Sequence, residues 1–260
     1  MINQLRADLF VLTRSSLAWL CLLASTAAAA LYTWLQHSLA MGDLSSNAAN
    51  GVQGLSDIVL VSLLGPLLYG VIVAQPFDTK SVHNALLGSG RGAFVAAKTV
   101  VAALLVTALS LPYAAGVLVG RATDAEFVPA IPTAFSLMLA EAGELTGSEA
   151  GSILAVSVTT ALVTAAKLAV CLPLAFWLKR PLVVMAIGFV WSFVADLLAG
   201  TAADVEGLDV LVRLTPFSAE HAPGPGADGG DLLASAAVSV AFIAVMGVVS
   251  WVVLRRSDIK

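Results

Sequence analysis

Hydrophobic positions along the chain are gathered into long uncharged stretches instead of alternating with polar ones. Five such runs cover 17–35, 58–74, 99–120, 181–195 and 232–254, and a sixth, 152–178, is interrupted only by Lys167. A hydrocarbon core about 30 Å thick takes about 20 apolar helical residues at a rise of about 1.5 Å each. The fifth run is short for that and is expected to continue past Asp196 to residue 200. The pattern predicts an all-α polytopic membrane protein: a single transmembrane domain over 1–260, with spans at 17–35, 58–74, 99–120, 152–178, 181–200 and 232–254.

The segments between the runs carry weaker patterns. Ahead of the first span, Ile2, Leu5, Leu9 and Leu12 recur at roughly helical spacing opposite Arg6 and Asp8, which predicts a helix lying on the membrane surface or, more plainly, an extension of the first span. Two segments, 121–151 and 201–231, are long enough to hold structure of their own. In the first, 131–142 is apolar but too short to cross and reads as an interfacial or re-entrant helix. In the second, Val205, Leu208, Leu211 and Leu214 recur at helical spacing before Pro216, and 221–230 is rich in Pro and Gly. Between spans two and three, Asp78 or Thr79 is placed to cap a short helix through Leu87, which Gly88 and Gly90 would end. Its apolar face would be Val82, Ala85 and Leu86, with Lys80, His83 and Arg91 left polar.

Composition narrows the class. Of 260 residues, 59% are hydrophobic and 12% charged, against about 45–50% and about 25% in soluble domains, so too few charges remain to cover a water-exposed surface. The net charge of −4 offers no basic face for nucleic acid. Counting Lys and Arg in the short loops orients the chain: with the N-terminus inside, ten basic residues fall on the cytoplasmic side, against Arg121 and Arg213 outside. Both termini are therefore expected in the cytoplasm. Arg6, Arg14 and the small residues at 27–30 also suit a cleaved signal peptide, but the apolar length of the first run favours a retained span. Trp19, Trp34, Trp177 and Trp251 stand near span ends, where indole favours the interface, while Trp191 is expected to be buried.

No catalytic or metal-binding constellation emerges. The nearest approach to a phosphate-cradling loop, GAFVAAKT at 92–99, has Ala97 where Gly is required and leads into a span instead of following a strand. His37, His83 and His221 are dispersed, Cys21 and Cys171 lie in apolar runs, and Glu141 with Glu144 reads as a solvated pair. Lys167 stands out. Twelve residues from Lys179, it lies about 18 Å up the fourth span, near mid-bilayer, where an ammonium costs about 2.5–3.5 kcal/mol and normally faces a protein interior or a wet cavity. Asp196 of the fifth span or a carbonyl would partner it, in a substrate pathway or a structural salt bridge; alternatively Asp196 simply reaches headgroup water. Gly116 and Gly120 form a G-x-x-x-G that permits close helix approach, and Gly65-Pro66, Pro112 and Pro173 are possible bends within spans. Ser25, Ala29 and Gly188 offer small surfaces for a second copy.

Taken together, six spans, both ends inside and the loop at 77–98 resemble the permease subunit of bacterial type 2 (ABC-2) ABC exporters over essentially the whole chain. The family's loop reads as an aromatic, two variable residues, Lys-Thr-Ile-Arg-Asn, then Leu, a glycine turn and Arg; here it is Phe77, Lys80-Ser81-Val82-His83-Asn84, Leu86, Gly88 and Arg91, with His83 in place of the usual base. The ending Arg255-Arg256-Ser257-Asp258-Ile259-Lys260 and the Thr215-Pro216-Phe217 turn are also similar. The resemblance implies a non-catalytic transport subunit in the bacterial cytoplasmic membrane. It would pair with a second, identical or related permease and carry two copies of a separate ATPase that binds ATP and Mg. The short helix would couple to that ATPase through Lys80, Ser81, Asn84 and Arg91, and the cargo would be amphipathic: a peptide, an antibiotic or a lipid-like compound. Readings from other classes are an ATP-independent immunity or sequestration protein, and an ion-coupled secondary transporter in which Lys167 and Asp196 are pathway charges.

Overall fold

The computed structural model describes residues 2–44, 51–78, 81–123, 125–141 and 145–256, without the side chains of 78, 83–85 and 89. Every regular element among them is helical: α1 (Ile2–Thr13), α2 (Ser16–Ala40), α3 (Asp57–Asp78), α4 (Val82–Ala122), α5 (Ala134–Ala140), α6 (Gly147–Leu168), α7 (Cys171–Leu178), α8 (Pro181–Ala203), α9 (Leu208–Arg213) and α10 (Gly229–Arg256), with two 3-10 turns. Six helical stretches are long and apolar enough to span a membrane: α2, α3, α4 from Gly90 onward, α6 with α7, α8 and α10. Each of the six runs read from the sequence falls in one of them. The helices are longer than the uncharged runs because polar residues continue the helix beyond the apolar zone; α4 starts its membrane-length stretch at Gly90, nine residues before Thr99.

The spine of the bundle is α4, which packs against α1, α2, α3, α5, α6 and α10. Two apolar clusters are stacked along it. One gathers Leu68, Tyr69, Phe94, Val106, Leu172 and Phe176; the other gathers Tyr32, Tyr113, Phe135, Met138 and Val156. The first lies toward the end where α1, the base of α4 and the last turn of α10 meet, here called the terminal end; the second lies toward the far end.

Small residues set the helix spacing. A Cβ on Gly188 would sit 2.5 Å from Cys171 Sγ and 2.6 Å from Pro66 Cβ, and one on Gly70 would sit 2.8 Å from the Pro181 carbonyl oxygen, so α8 lies directly against α3. Gly116 faces Thr33 Oγ1 at 2.7 Å and Gly120 faces Leu139, so the G-x-x-x-G is used inside the chain, between α4 and both α2 and α5. The Ser25 hydroxyl donates to the Leu109 carbonyl at 2.5 Å, and Ala29 is buried. Ser25, Ala29 and Gly188, read as contacts to a second copy, are thus occupied within the bundle; small side chains serve an internal or an external neighbour equally well.

The prolines divide by context. Helices α3 and α4 continue through Pro66 and Pro112, whereas the fourth span breaks at Ala169–Val170, four residues before Pro173. Pro173 lacks the N–H that the Ala169 carbonyl would accept from, and its ring crowds that carbonyl. The Ala169 carbonyl instead accepts from Leu172 N–H at 2.9 Å, and Ala169 N–H turns to Ala166 at 3.0 Å. The Ala165 carbonyl freed by this shift accepts from the Tyr69 hydroxyl at 3.0 Å, which ties the break to α3.

Two amphipathic segments bury less of their apolar stripe than helical spacing alone suggests. In α1 the two polar residues divide: Asp8 is buried, flanked by the half-buried Leu5 and Leu12, while Arg6 is exposed along with Ile2, Leu9, Phe10 and Val11. A buried cationic partner, described below, outweighs the hydrophobic pattern. Likewise the stripe Val205, Leu208, Leu211 and Leu214 forms α9 and its flanks as predicted, yet all four residues are exposed. The apolar 131–142 run contributes the seven-residue α5, capped by a reciprocal Thr133–Ser136 pair, and buries Phe135, Met138 and Leu139 against α4 and α6.

Candidate functional site

After α3 the chain forms the short helix expected there, but its N-cap is Ser81, without a side-chain cap bond, while Asp78, one of the two expected caps, ends α3 and Thr79, the other, lies outside the described residues. A helix begins at Val82, and Gly90 turns it at φ +74° and ψ 158°, a conformation essentially restricted to glycine. The stretch 82–89 is therefore a short helix set at an angle to the rest of α4. Val82 is buried and Leu86 packs on the core, as the apolar face requires. Phe77 at its base lies edge-on to Phe176 at 6.1 Å, with Lys179 Nζ 5.3 Å from the Phe77 ring. Leu87 projects outward with 88% exposure, more than any other large hydrophobic residue described. Of the coupling candidates, Lys80 and the side chain of Asn84 lie outside the described residues. The Ser81 hydroxyl donates to the Pro76 carbonyl at 3.5 Å. Arg91 Nη1 donates to the Arg255 carbonyl at 3.0 Å, satisfying one of the unpaired carbonyls at the end of α10. Sequence reasoning passed over Leu87, since nothing in a short apolar run tells which leucine is left out of the core.

Directly behind this helix, Lys98 Nζ meets Asp8 Oδ1 at 2.9 Å, with side-chain exposures of 8% and 9%. Gln4 Nε2 donates to the same oxygen at 3.2 Å, and Lys98 lies 5.5 Å from the Phe94 ring centre. Asp8 Oδ2 has no hydrogen-bond partner among the described residues. A cavity of about 260 Å³ adjoins the pair and is bordered by Ser15, Gln75 and Ser81. The sequence stretch 92–99 that approached a phosphate loop is continuous helix in α4, and its lysine is the one bound to Asp8.

The second cluster lies deeper. Lys167, one residue before the end of α6, donates to Asp196 Oδ1 of α8 at 2.7 Å. Phe217 of the 201–231 segment covers the lysine, its ring centre 5.8 Å from Lys167 Nζ. Phe217 is itself edge-on to Trp191 at 6.3 Å and to Phe242 at 5.9 Å. The turn that delivers it is shaped locally: the Thr215 hydroxyl donates to the Val212 carbonyl at 2.7 Å and accepts from Phe217 N–H at 3.4 Å, and Pro216 is buried. Trp191 is half-buried, its indole N–H without a partner among the described residues. A cleft of about 220 Å³ opens beside it between α8, α9 and Phe217.

The remaining candidates have local roles. Glu141 does not stand as a free solvated residue: with Glu149 it approaches the buried Arg121 at 3.7 Å each, and Arg121 Nη1 donates to the Glu141 carbonyl at 2.6 Å. Glu144 lies outside the described residues, as does the side chain of His83. His37 pairs with the Glu126 carbonyl and His221 with the Arg213 carbonyl. Cys21 and Cys171 are buried free thiols. Among the described residues no three His, Cys, Asp or Glu side chains gather to hold a metal. A further cavity, of about 940 Å³, is an apolar groove between α2 and α4. Compared with models of protein families, with curated proteins and with solved structures, the chain matches none.

Proposed function

We propose that the chain is the membrane-spanning permease subunit of an ATP-driven exporter of the bacterial ABC-2 type. It is non-catalytic itself, has both termini in the cytoplasm of a bacterial cell, and is paired with a second permease and with separate ATPase subunits that bind ATP and Mg. The observation that carries the reading is the short helix at 82–89: a rigid, angled element at the terminal end, packed on one face and presenting Leu87 on the other. ATP-driven movement of a partner gripping Leu87 reaches α4 through the Gly90 turn and α10 through Arg91; Lys80, Ser81 and Asn84 are the further contacts the resemblance implies. A ligand or nucleotide on the partner shifts the permease only if the partner holds one arrangement better than the other, and this helix is where that preference is exerted. Lys167 and Asp196 lie in the pathway for an amphipathic cargo.

The test is purification from native membranes through a tag on the chain. Co-purification of an ATPase bearing a Gly-Lys-Ser/Thr loop is expected, lost in Leu87→Asp while the variant still inserts and folds. A cysteine at position 87 should react with an impermeant maleimide only in inverted vesicles. Labelling from intact cells overturns the topology, and transport that survives ATP depletion but collapses with the ion gradient replaces the exporter with an ion-coupled transporter.

A further inference from the structure

The Lys167–Asp196 pair is open on one side. Asp196 keeps 49% exposure against 28% for Lys167, although it stands fifteen residues, about 22 Å, along α8 from Pro181. A carboxylate at that depth facing hydrocarbon is costly, so its open side calls for a polar or charged neighbour. Phe217 covers the lysine and leaves the carboxylate as the accessible charge. A cleft of about 220 Å³ is walled by Trp191, Ala195, Leu198, Leu211 and Phe217, aromatic and aliphatic surface suited to an apolar body next to a cation; Asp196 follows Ala195 in α8, and Phe217 joins this wall to Lys167. The charged residues of the 201–231 segment that supplies Phe217 are mostly acidic. Asp204, Glu206, Asp228 and Asp231 are exposed, and Arg213, the only Lys or Arg in 201–231, lies within 3.9 Å of Asp209 and 3.3 Å of Glu220.

We propose that this cleft binds a cationic amphiphile, its charged group against Asp196 in competition with Lys167 and its apolar body between Trp191, Leu211 and Phe217. The acidic 201–231 segment raises the local concentration of such a ligand. The inference gives the proposed exporter its class of cargo, and rests on that reading only for the step from binding to transport.

The experiment needs neither ATPase nor transport. The full chain in nanodiscs of zwitterionic lipid is dialysed to equilibrium against tetraphenylphosphonium or tetraphenylborate, which match in size and shape and differ in sign, with empty nanodiscs subtracted. Saturable phosphonium binding is expected, at least about tenfold tighter than borate. Asp196→Asn should weaken it about tenfold, the factor given by about 1.4 kcal/mol. Because that variant leaves Lys167 unpaired, the exchange Lys167→Asp with Asp196→Lys is the companion: it keeps the pair, presents the opposite charge to the cleft, and should reverse the preference. Equal binding of both ions, no saturable phosphonium binding, or an unreversed preference in the exchanged protein overturns the proposal. Intact ATPase co-purification without phosphonium binding counts against the cleft alone; phosphonium binding without an ATPase counts against the exporter alone.

Discussion

The buried pair of Asp8 and Lys98 gives the most quantitative handle on how α1 is held to the base of α4. At 2.9 Å and an effective dielectric of about 20, the attraction is about 6 kcal/mol before desolvation is set against it. With both side chains less than a tenth exposed, neither charge recovers hydration in the folded state when its partner is removed. Lys98→Met therefore leaves a carboxylate with, among the described residues, no partner for Oδ2 and only Gln4 donating to Oδ1, and should cost about 3–5 kcal/mol. Asp8→Leu should cost a similar amount by stranding the ammonium near Phe94. The double variant, Asp8→Leu with Lys98→Met, removes both desolvation penalties and should be neutral or up to about 4 kcal/mol more stable than the starting protein. Reversible unfolding in mixed micelles across all four proteins yields the coupling energy directly. Single variants within about 0.5 kcal/mol of the original, or a double variant equal to the sum of the singles, would refute the assignment of this pair as a buried, interacting one.

Other consequences are simpler to check. Tyr69→Phe strands the Ala165 carbonyl at the break in the fourth span and should lower stability by about 1–3 kcal/mol in the same unfolding assay. Gly188→Ala puts a Cβ 2.5 Å from Cys171 Sγ and should cost about 1–3 kcal/mol through overpacking, whereas Gly200→Ala in the same helix meets nothing within 4 Å and should gain about 0.5–1 kcal/mol. Gly90→Ala forces a side chain into φ +74°, should lose about 1–3 kcal/mol, and on the proposed function should also uncouple ATP hydrolysis from transport, read as stimulated ATPase activity without cargo movement.

The six membrane-length helices could be read from the sequence because lipid imposes a one-dimensional rule: length and lack of charge suffice, and neighbours need not be known. The same rule says nothing about which side of a helix meets protein. Asp8 was placed on the wet face of α1 by periodicity, and only its distance to Lys98, ninety residues away, reverses that. The Lys167–Asp196 pair was reachable because two isolated charges in apolar runs at comparable depth have few alternatives. Phe217 was not, since a turn descending from a Pro-containing segment leaves no periodic trace. Gly90 was foreseen as a helix end, but the angle it sets and the exposure of Leu87 depend on φ and ψ that composition does not encode. The exposed stripe on α9 shows the converse limit: helical spacing identifies an apolar face, not what covers it.

From residue 91 to 122, α4 runs as one unbroken rod, including through Pro112, about 48 Å long at 1.5 Å per residue. Leverage follows from that length: a tilt of ten degrees imposed at its foot sweeps its opposite tip through about 8 Å. Five other helices lean on the rod's flanks and α5 rests near its tip, so a small push at one membrane surface arrives at the other as a large displacement, without any signal having to hop between side chains.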